Sequence, residues 1–438
     1  MAKAVTYQCP NCNGVMTFDA ATGHLVCEFC GAVFEQGEAE VNLPVADKDV
    51  QRQETTHAQT VSDFLERAPW EITADGTVGA VVYSCPSCAA EVAADQSVVS
   101  TSCPYCGNNM LVAGLATKDN IPQYVLPFSV TKEQAEQRMR QHFEHKWYLS
   151  RAFDAQLAHM QGVYVPYHLY DMTVQGRADY IGYYEVSDDD GHDTKYYYAI
   201  KRAGHASFTH VPVDGSSKMP DGHMDAIAPF GFDHMQDFSA SYAAGFLMEV
   251  ADEDASTCLP RAEQRVRTSF EQDLKADARK ERNVEGIEEV VSQETNVKLD
   301  GTSSCVLPVW LMHCTWEDVQ MLFAVNGETG KCVGDLPVDK RRRTLTIIAA
   351  IAVLAILSIV LYISFFMDDE DGLKFLVGAV IATLIVTIMI DSHFMSQMHT
   401  AVEATDAHMS YNDEGLVVTD RWRSKHRYLS INKARKQL

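Results

Sequence analysis

Lys340-Arg341-Arg342-Arg343 opens a stretch that continues as an apolar run from Leu345 to Met367, an acidic joint Asp368-Asp369-Glu370-Asp371-Gly372, and a second apolar run from Leu373 to Ile390. The first run carries no charge. As a helix rising about 1.5 Å per residue it is long enough for a hydrocarbon core of roughly 30 Å. The second carries only Lys374, close enough to its end to snorkel. A joint this short permits only an antiparallel helical hairpin. Two buried core helices are the alternative, but both runs are apolar on every face.

Charge predicts the orientation. Four cations precede the first run, and the joint is acidic. Arg421, Arg423, Lys425, Arg427, Lys433, Arg435 and Lys436 follow with no acid among residues 421–438. Cations stay on the cytoplasmic side, so the expectation is a multi-pass protein of the cell membrane with both chain ends cytoplasmic. Met1-Ala2-Lys3-Ala4-Val5-Thr6-Tyr7 leads into cysteines without an apolar segment, so the first span is expected to target the chain itself.

The chain has 438 residues and a net charge of −24. Residues 1–118 carry −9 and 119–339 carry −17, whereas 340–343 carry +4 and the tail +7. The acidic body is repelled by phosphate backbones and by anionic lipid, which disfavours nucleic acid as its partner. Twelve cysteines in a reducing compartment are expected to be metal ligands or packed thiols rather than disulfides.

Eight of those cysteines fall into two matching sets. Cys9, Cys12, Cys27 and Cys30 recur as Cys85, Cys88, Cys103 and Cys106, each 76 positions later. Both sets read CxxC, fourteen residues, CxxC, an internal repeat. Two residues between thiolates let a tight turn present both sulfurs to one ion, and Gly31 and Gly107 permit a left-handed backbone after the last ligand. Four thiolates leave no position for water, so each site is structural, not catalytic. Zinc is the expected ion, two in all, with iron as a minor alternative.

The segments divide accordingly. Residues 1–36 form zinc ribbon 1, 37–68 an acidic linker with a short helix at Val61–Arg67, and 69–118 zinc ribbon 2, with Trp70 docking on it. Residues 119–339 form an α+β domain with antiparallel sheet and a possible internal repeat. Residues 340–390 form a transmembrane hairpin with spans 345–367 and 373–390, and 391–438 a polar segment and basic tail.

Within the middle domain, Tyr124-Val125-Leu126 reads as a short strand. Thr131 and Gln134 form a capping box for a helix with Ala135, Met139, Phe143 and Trp147 on one side. Gly162–Tyr170, Ala178–Val186 and Thr194–His210 read as strands, with an acidic turn at Asp188-Asp189-Asp190-Gly191. A second helix from about Leu259 carries a stripe of Leu259, Ala262, Val266, Phe270 and Leu274. A polar run to Asp300 follows, then a strand at Cys305–Leu311 and another at Met321–Val325 before the turn Asn326-Gly327.

Catalytic residues are not predicted. His142 and His145 are three apart on a helix, but Glu144 faces elsewhere, so a surface pair is preferred. His205, His210, His223 and His234, with Asp214, Asp221, Asp225 and Asp233, offer a divalent-metal or enzymatic site; a solvated acidic loop is the preferred reading. Gly327-Glu328-Thr329-Gly330-Lys331 lacks the spacer and final Ser/Thr of a phosphate loop and reads as a hairpin turn. Ser216-Ser217-Lys218 has no partner pattern to activate a serine, and Cys258, Cys305, Cys314 and Cys332 read as packed thiols. Arg421-Trp422-Arg423 and Arg427-Tyr428 fit either contact with anionic headgroups or nucleic acid, or a strand packed on the body.

In these stretches the chain resembles bacterial membrane proteins that carry transcription-factor-IIB-type zinc ribbons, a group often labelled as primosomal helicases. The matching stretches are Ala68-Pro69-Trp70-Glu71, Tyr83–Cys88, Cys103–Asn108, Gly162–Tyr167, Leu307-Pro308-Val309-Trp310 and Phe323–Lys331. The resemblance implies zinc at all eight cysteines and supplies no catalytic residue. The helicase label does not fit a chain without a Walker loop and with this charge. The resulting expectation is a membrane-anchored scaffold that binds a protein partner. A membrane-tethered nucleic-acid binder is the alternative, and an enzyme built on the His/Asp-rich stretch the third.

Overall fold

The computed structural model describes residues 2–5, 9, 11, 16–19, 22–27, 30–35, 80–84, 91–95, 98–102, 109–112, 122–144, 146–150, 153, 160–187, 193–217, 219–238, 242, 245–249, 251–316, 319–365, 372–407, 411–412 and 415–438. Val61–Arg67, Trp70, His145 and Asp188–Gly191, together with the linker, lie outside them.

Strand β1 (Ala2–Val5) pairs parallel with Tyr83 and Ser84 and antiparallel with Leu111 and Val112. A small three-stranded sheet follows: β2 (Met16–Asp19), β3 (His24–Cys27) and β4 (Val33–Phe34). Residues 80–112 contain two hairpins, β5 (Ala80–Ser84) with β6 (Glu91–Asp95), and β7 (Val98–Ser102) with β8 (Asn109–Val112). After β9 (Tyr124–Val125) comes α1 (Lys132–Phe143). Its capping box is formed as predicted, with Thr131 Oγ1 accepting from Gln134 N and Thr131 N donating to Gln134 Oε1. Ala135 and Met139 are fully buried. The helix stops at Phe143, however, so Trp147 is not on its face but in a separate turn and half exposed.

The predicted short strands of the middle domain merge into long ones. Gly162–Tyr170 and Ala178–Val186 are one strand, β10 (Gln161–Ser187), paired antiparallel with β11 (Asp193–Asp214). The polar run before Asp300, for which the sequence predicts no element, is strand. It is the first half of β14 (Gly286–Trp316), antiparallel to β10 from Gln161↔Leu311 to Tyr183↔Gly286. Its alternating Val, Thr, Glu and Gln residues suit a strand whose outer face meets solvent, and the polar composition concealed the period of two. Bulges, one between Tyr170 and Met172, let such long strands bend.

Between β11 and β14 lie α2 (Asp221–Ala226), β12 (Gln236–Asp237), β13 (Leu247–Glu249) and α3 (Ala255–Arg279). Asp254 caps α3 by accepting from Thr257 N. The predicted stripe holds: Ala262, Val266, Phe270 and Leu274 are fully buried against Tyr170, Met172, Val174, Ala178, Tyr180 and Ile200 of the ribbon. Each large apolar side chain buried there stabilises by about 1.5–3 kcal/mol. Gly176 is required at this contact, because a Cβ would meet Glu294 O at 2.5 Å and Phe270 Cε1 at 2.9 Å.

The far half of β14 pairs with β15 (Val319–Asn326), and β15 with β16 (Cys332–Gly334). Two helices follow, α4 (Lys340–Phe365) and α5 (Gly372–Ser396), both long and apolar enough to cross a membrane. The most apolar windows are 0% and 6% buried, unlike core helices of a soluble protein. The second helix runs past the predicted end at Ile390 to Ser396. Residues after it are not merely polar connection: β17 (Val417–Arg423) pairs with β11 from Ile200↔Arg423 to His205↔Val417, and α6 (Ile431–Arg435) closes the chain. The sheet thus joins most strands into one α+β body, and β13 pairs with both β10 and β7.

Candidate metal centre

The β2–β3 hairpin places Cys27 at the end of β3, opposite Met16. The chain then turns through Cys30 and Gly31, whose φ of 68° is in the left-handed region. Gly31 N donates to Cys27 O at 2.9 Å, and Cys27 N donates to Ala32 O at 2.9 Å, closing the knuckle. Across from it, Cys9 comes into reach. The sulfurs of Cys9, Cys27 and Cys30 all lie within 4.8 Å of one another, and Cys9 Sγ is 3.6 Å from Cys30 Sγ. A tetrahedral ion with Zn–S bonds of about 2.3 Å requires sulfurs about 3.8 Å apart, so the donor set fits zinc. Asn11 N donates to Cys9 Sγ at 3.4 Å, the type of amide contact that offsets thiolate charge. Cys9 and Cys27 are buried and Cys30 is exposed. Among the described residues this is the one cluster of His, Cys, Asp or Glu with metal-binding geometry. Cys12, the predicted fourth ligand, lies outside the described residues.

The ribbon is docked, not dangling. Phe18 lies 5.3 Å from the Tyr242 ring and 6.4 Å from that of Phe246. Cys9, Met16, Phe18, Leu25 and Cys27 share one apolar core with Phe128, Tyr164, Phe246 and Trp310 of the middle domain.

In the sequence, the second set is flanked by two pairs of strands. β5 and β6 pair up to Ser84↔Glu91, on either side of residues 85–90, and β7 and β8 up to Ser102↔Asn109, on either side of 103–108. Cys85, Cys88, Cys103 and Cys106 themselves lie outside the described residues.

The His/Asp-rich stretch is not a solvated loop. Asp214 and Asp225 are buried, and with Asp221 they converge on α3, where Arg261 bonds Asp214 at 3.2 Å, Asp221 at 3.1 Å and Asp225 at 3.3 Å. Arg265 also pairs with Asp225, whose other oxygen accepts from Ala404 N at 3.0 Å. The carboxylates therefore meet guanidinium groups rather than an open cation site. Burial raises Asp214 to about 7 against the opposing pull of Arg261. The histidines go elsewhere. His205 pairs in the sheet with Val417, His210 N donates to Asp171, His223 contacts Leu322 O at 2.9 Å, and His234 lies in a short helical turn. Arg261 and Arg265 are the residues that sequence reasoning missed; their spacing of four beside the apolar stripe was the available signal.

The remaining candidates are structural. Gly327–Lys331 is the predicted hairpin turn: Asn326 Oδ1 accepts from Glu328 N and Thr329 N, and Gly330 has a φ of 75°. Ser216 donates to Glu249, and Ser217 to Asp252. Cys258 and Cys305 are buried and Cys314 and Cys332 half-buried, all with thiols pushed up by burial. His142 is not a simple surface residue; burial, then Lys146, lowers it to about 4. The four arginines of the tail are engaged within the chain, Arg423 by donating to Arg282 O. Arg421 forks onto Asp277, Arg435 onto Glu289, and the Arg427 guanidinium lies 4.2 Å from the Tyr196 ring centroid.

Comparison with known proteins agrees with the first ribbon. The TFIIB zinc-binding family model matches residues 7–43. The chain is 27% identical over 345 residues to the uncharacterized protein YdjG of Bacillus subtilis (strain 168), covering 77% of this chain and 91% of that protein. No solved structure matches. Together the family match and the sulfur cluster support zinc binding by an N-terminal ribbon.

Proposed function

We propose that the chain is a membrane-anchored zinc-ribbon scaffold whose metal is structural and whose ribbons and middle domain together present a protein-binding surface. The observation that carries this reading is the position of the sulfur cluster: Cys9 and Cys27 are buried in a core shared with the middle domain, so the ion would brace a surface rather than meet a substrate. Cys12 completes the first site, and Cys85, Cys88, Cys103 and Cys106 make a second, for two zinc ions. The strand–CxxC–strand pattern on β5–β6 and β7–β8 supports the second site.

In this reading α4 and α5 cross the cell membrane as a two-pass hairpin with both flanks cytoplasmic, supported by their exposed apolar surface and by the cations at Lys340–Arg343. The domain divisions follow the segments named above, although sheet pairing links residues 98–102 to the middle domain. Affinity capture from membranes, with wild type and a Cys85→Ser/Cys88→Ser variant, tests the scaffold role. Partners lost with the second ribbon support it. A binding titration with nucleic acid at low salt tests the rival; tight association weakening steeply with salt would replace the protein partner by a nucleic acid.

A further inference from the structure

The turn that follows α1 is bolted to the base of the apolar hairpin. Trp147 Nε1 donates to Thr346 Oγ1 at 2.9 Å, and Arg342 Nη1 donates to Leu149 O at 2.9 Å. Asp339 N donates to Tyr148 O at 2.8 Å. The Trp147 ring lies 5.4 Å from the Arg342 guanidinium and 6.3 Å from the Phe394 ring, and Tyr148 is 5.3 Å from Phe394 on the other helix. An aromatic cluster thus touches both apolar helices at one level. Despite these contacts Trp147 is 51% exposed. Its bond to Thr346 sets it about one helical turn beyond Arg342 toward the apolar run. In the first turn of the same helix, Lys340 and Arg341 are exposed, and among the described residues their side chains have no hydrogen-bond or ion-pair partner.

We propose that Trp147, with Lys340 and Arg341, forms a foot that seats the middle domain on an anionic lipid surface, the indole entering the headgroup boundary and the two cations meeting lipid phosphates. The proposal rests on the membrane reading above. An amphipathic indole is suited to the boundary between headgroups and acyl chains, and cations close to an anionic leaflet are attracted to it. Because the turn is fixed to the base of α4 by hydrogen bonds at Trp147, Tyr148 and Leu149, the domain would stand on the bilayer at a set height instead of swinging from a linker.

The test uses the full chain in vesicles of phosphatidylcholine and phosphatidylglycerol, with bromine on the lipid chains either near the headgroup or near the chain end. Tryptophan emission of the wild type should contain a component quenched more by the shallow bromine. Trp147→Phe and Trp147→Tyr should both lose that component while Trp310 and Trp422 still emit. Lys340→Gln with Arg341→Gln should abolish the gain in shallow quenching that phosphatidylglycerol produces over phosphatidylcholine alone. Shallow quenching retained in both folded Trp147 variants would overturn the foot. If alkaline carbonate releases the chain from membranes, the membrane reading itself fails; retention with unchanged quenching sinks only the foot.

Discussion

Arg343, near the start of α4, forks onto Asp391, near the end of α5, with Nε–Oδ1 at 2.9 Å and Nη2–Oδ2 at 2.7 Å. Tyr148 of the middle domain donates to the same carboxylate at 3.1 Å. The pair therefore closes the open end of the helical hairpin and ties it to the soluble body. Asp391→Asn should lower stability by about 1–2 kcal/mol, since a bidentate pair is strong but this one is partly exposed. Exchanging the two residues should recover part of the loss. Unfolding of the detergent-solubilised protein measures both, and an Asp391→Asn variant as stable as wild type would remove this role.

Zinc binding makes a second prediction. Cys27→Ser or Cys30→Ser should lower bound zinc by one ion per chain relative to wild type, read by elemental analysis. Because Cys27 and Phe18 share a core with Phe246, loss of the ion should also loosen that contact. Faster proteolysis of the first ribbon after chelation would report it. Purified protein with a visible thiolate-to-iron absorption would assign iron instead.

The acidic cluster packed against α3 sets a pH dependence. Burial raises Asp214 to about 7, above its ordinary value, so the folded state holds a proton that the unfolded state has released. The contribution of this group to stability is full below about pH 4 and is lost as pH rises toward 7. Asp214→Asn should flatten the fall in stability between about pH 4 and 7. His142 acts in the opposite sense: lowered to about 4, it contributes above its ordinary value of 6.5, and the contribution is lost as pH falls from there toward 4. Denaturant midpoints across pH for Asp214→Asn and His142→Gln separate the two, and an unchanged slope in either variant would exclude that group.

A buried cation at the other end of α3 makes a fourth prediction. Arg202 has a side chain only 1% exposed and bonds Asp277 at 2.8 Å and Glu281 at 2.7 Å. Asp277→Ala should cost about 3 kcal/mol, because it strips a buried guanidinium of a partner. Arg421 reaches the same aspartate from β17 but is 59% exposed. Arg421→Ala should cost about 1 kcal/mol or less. Equal losses in the two variants would show that burial is not what distinguishes them.

The residues themselves announced much of this. The CxxC spacing pointed to metal ligands because sulfur chemistry tolerates few alternatives, and in the first set Cys9, Cys27 and Cys30 do come together. The stripe on α3, the cap at Thr131 and the two apolar runs were legible because each depends on neighbours a few positions away. The length of β10, β11 and β14 was not. Their pairing partners lie more than a hundred positions apart in the case of β10 and β14, and a polar strand carries no local sign that another strand waits for it. The same distance hid the fate of the charges. Asp214, Asp221 and Asp225 looked like an exposed acidic loop until α3 brought Arg261 and Arg265 against them, and the tail fitted either lipid or nucleic-acid contact or a packed strand until β17 paired with β11. Sequence alone determined what is governed by short range: ligand spacing, helix periodicity and apolar length. Tertiary structure decided which charges are neutralised and which strands continue, because those depend on groups that only the folded chain brings within a few ångströms.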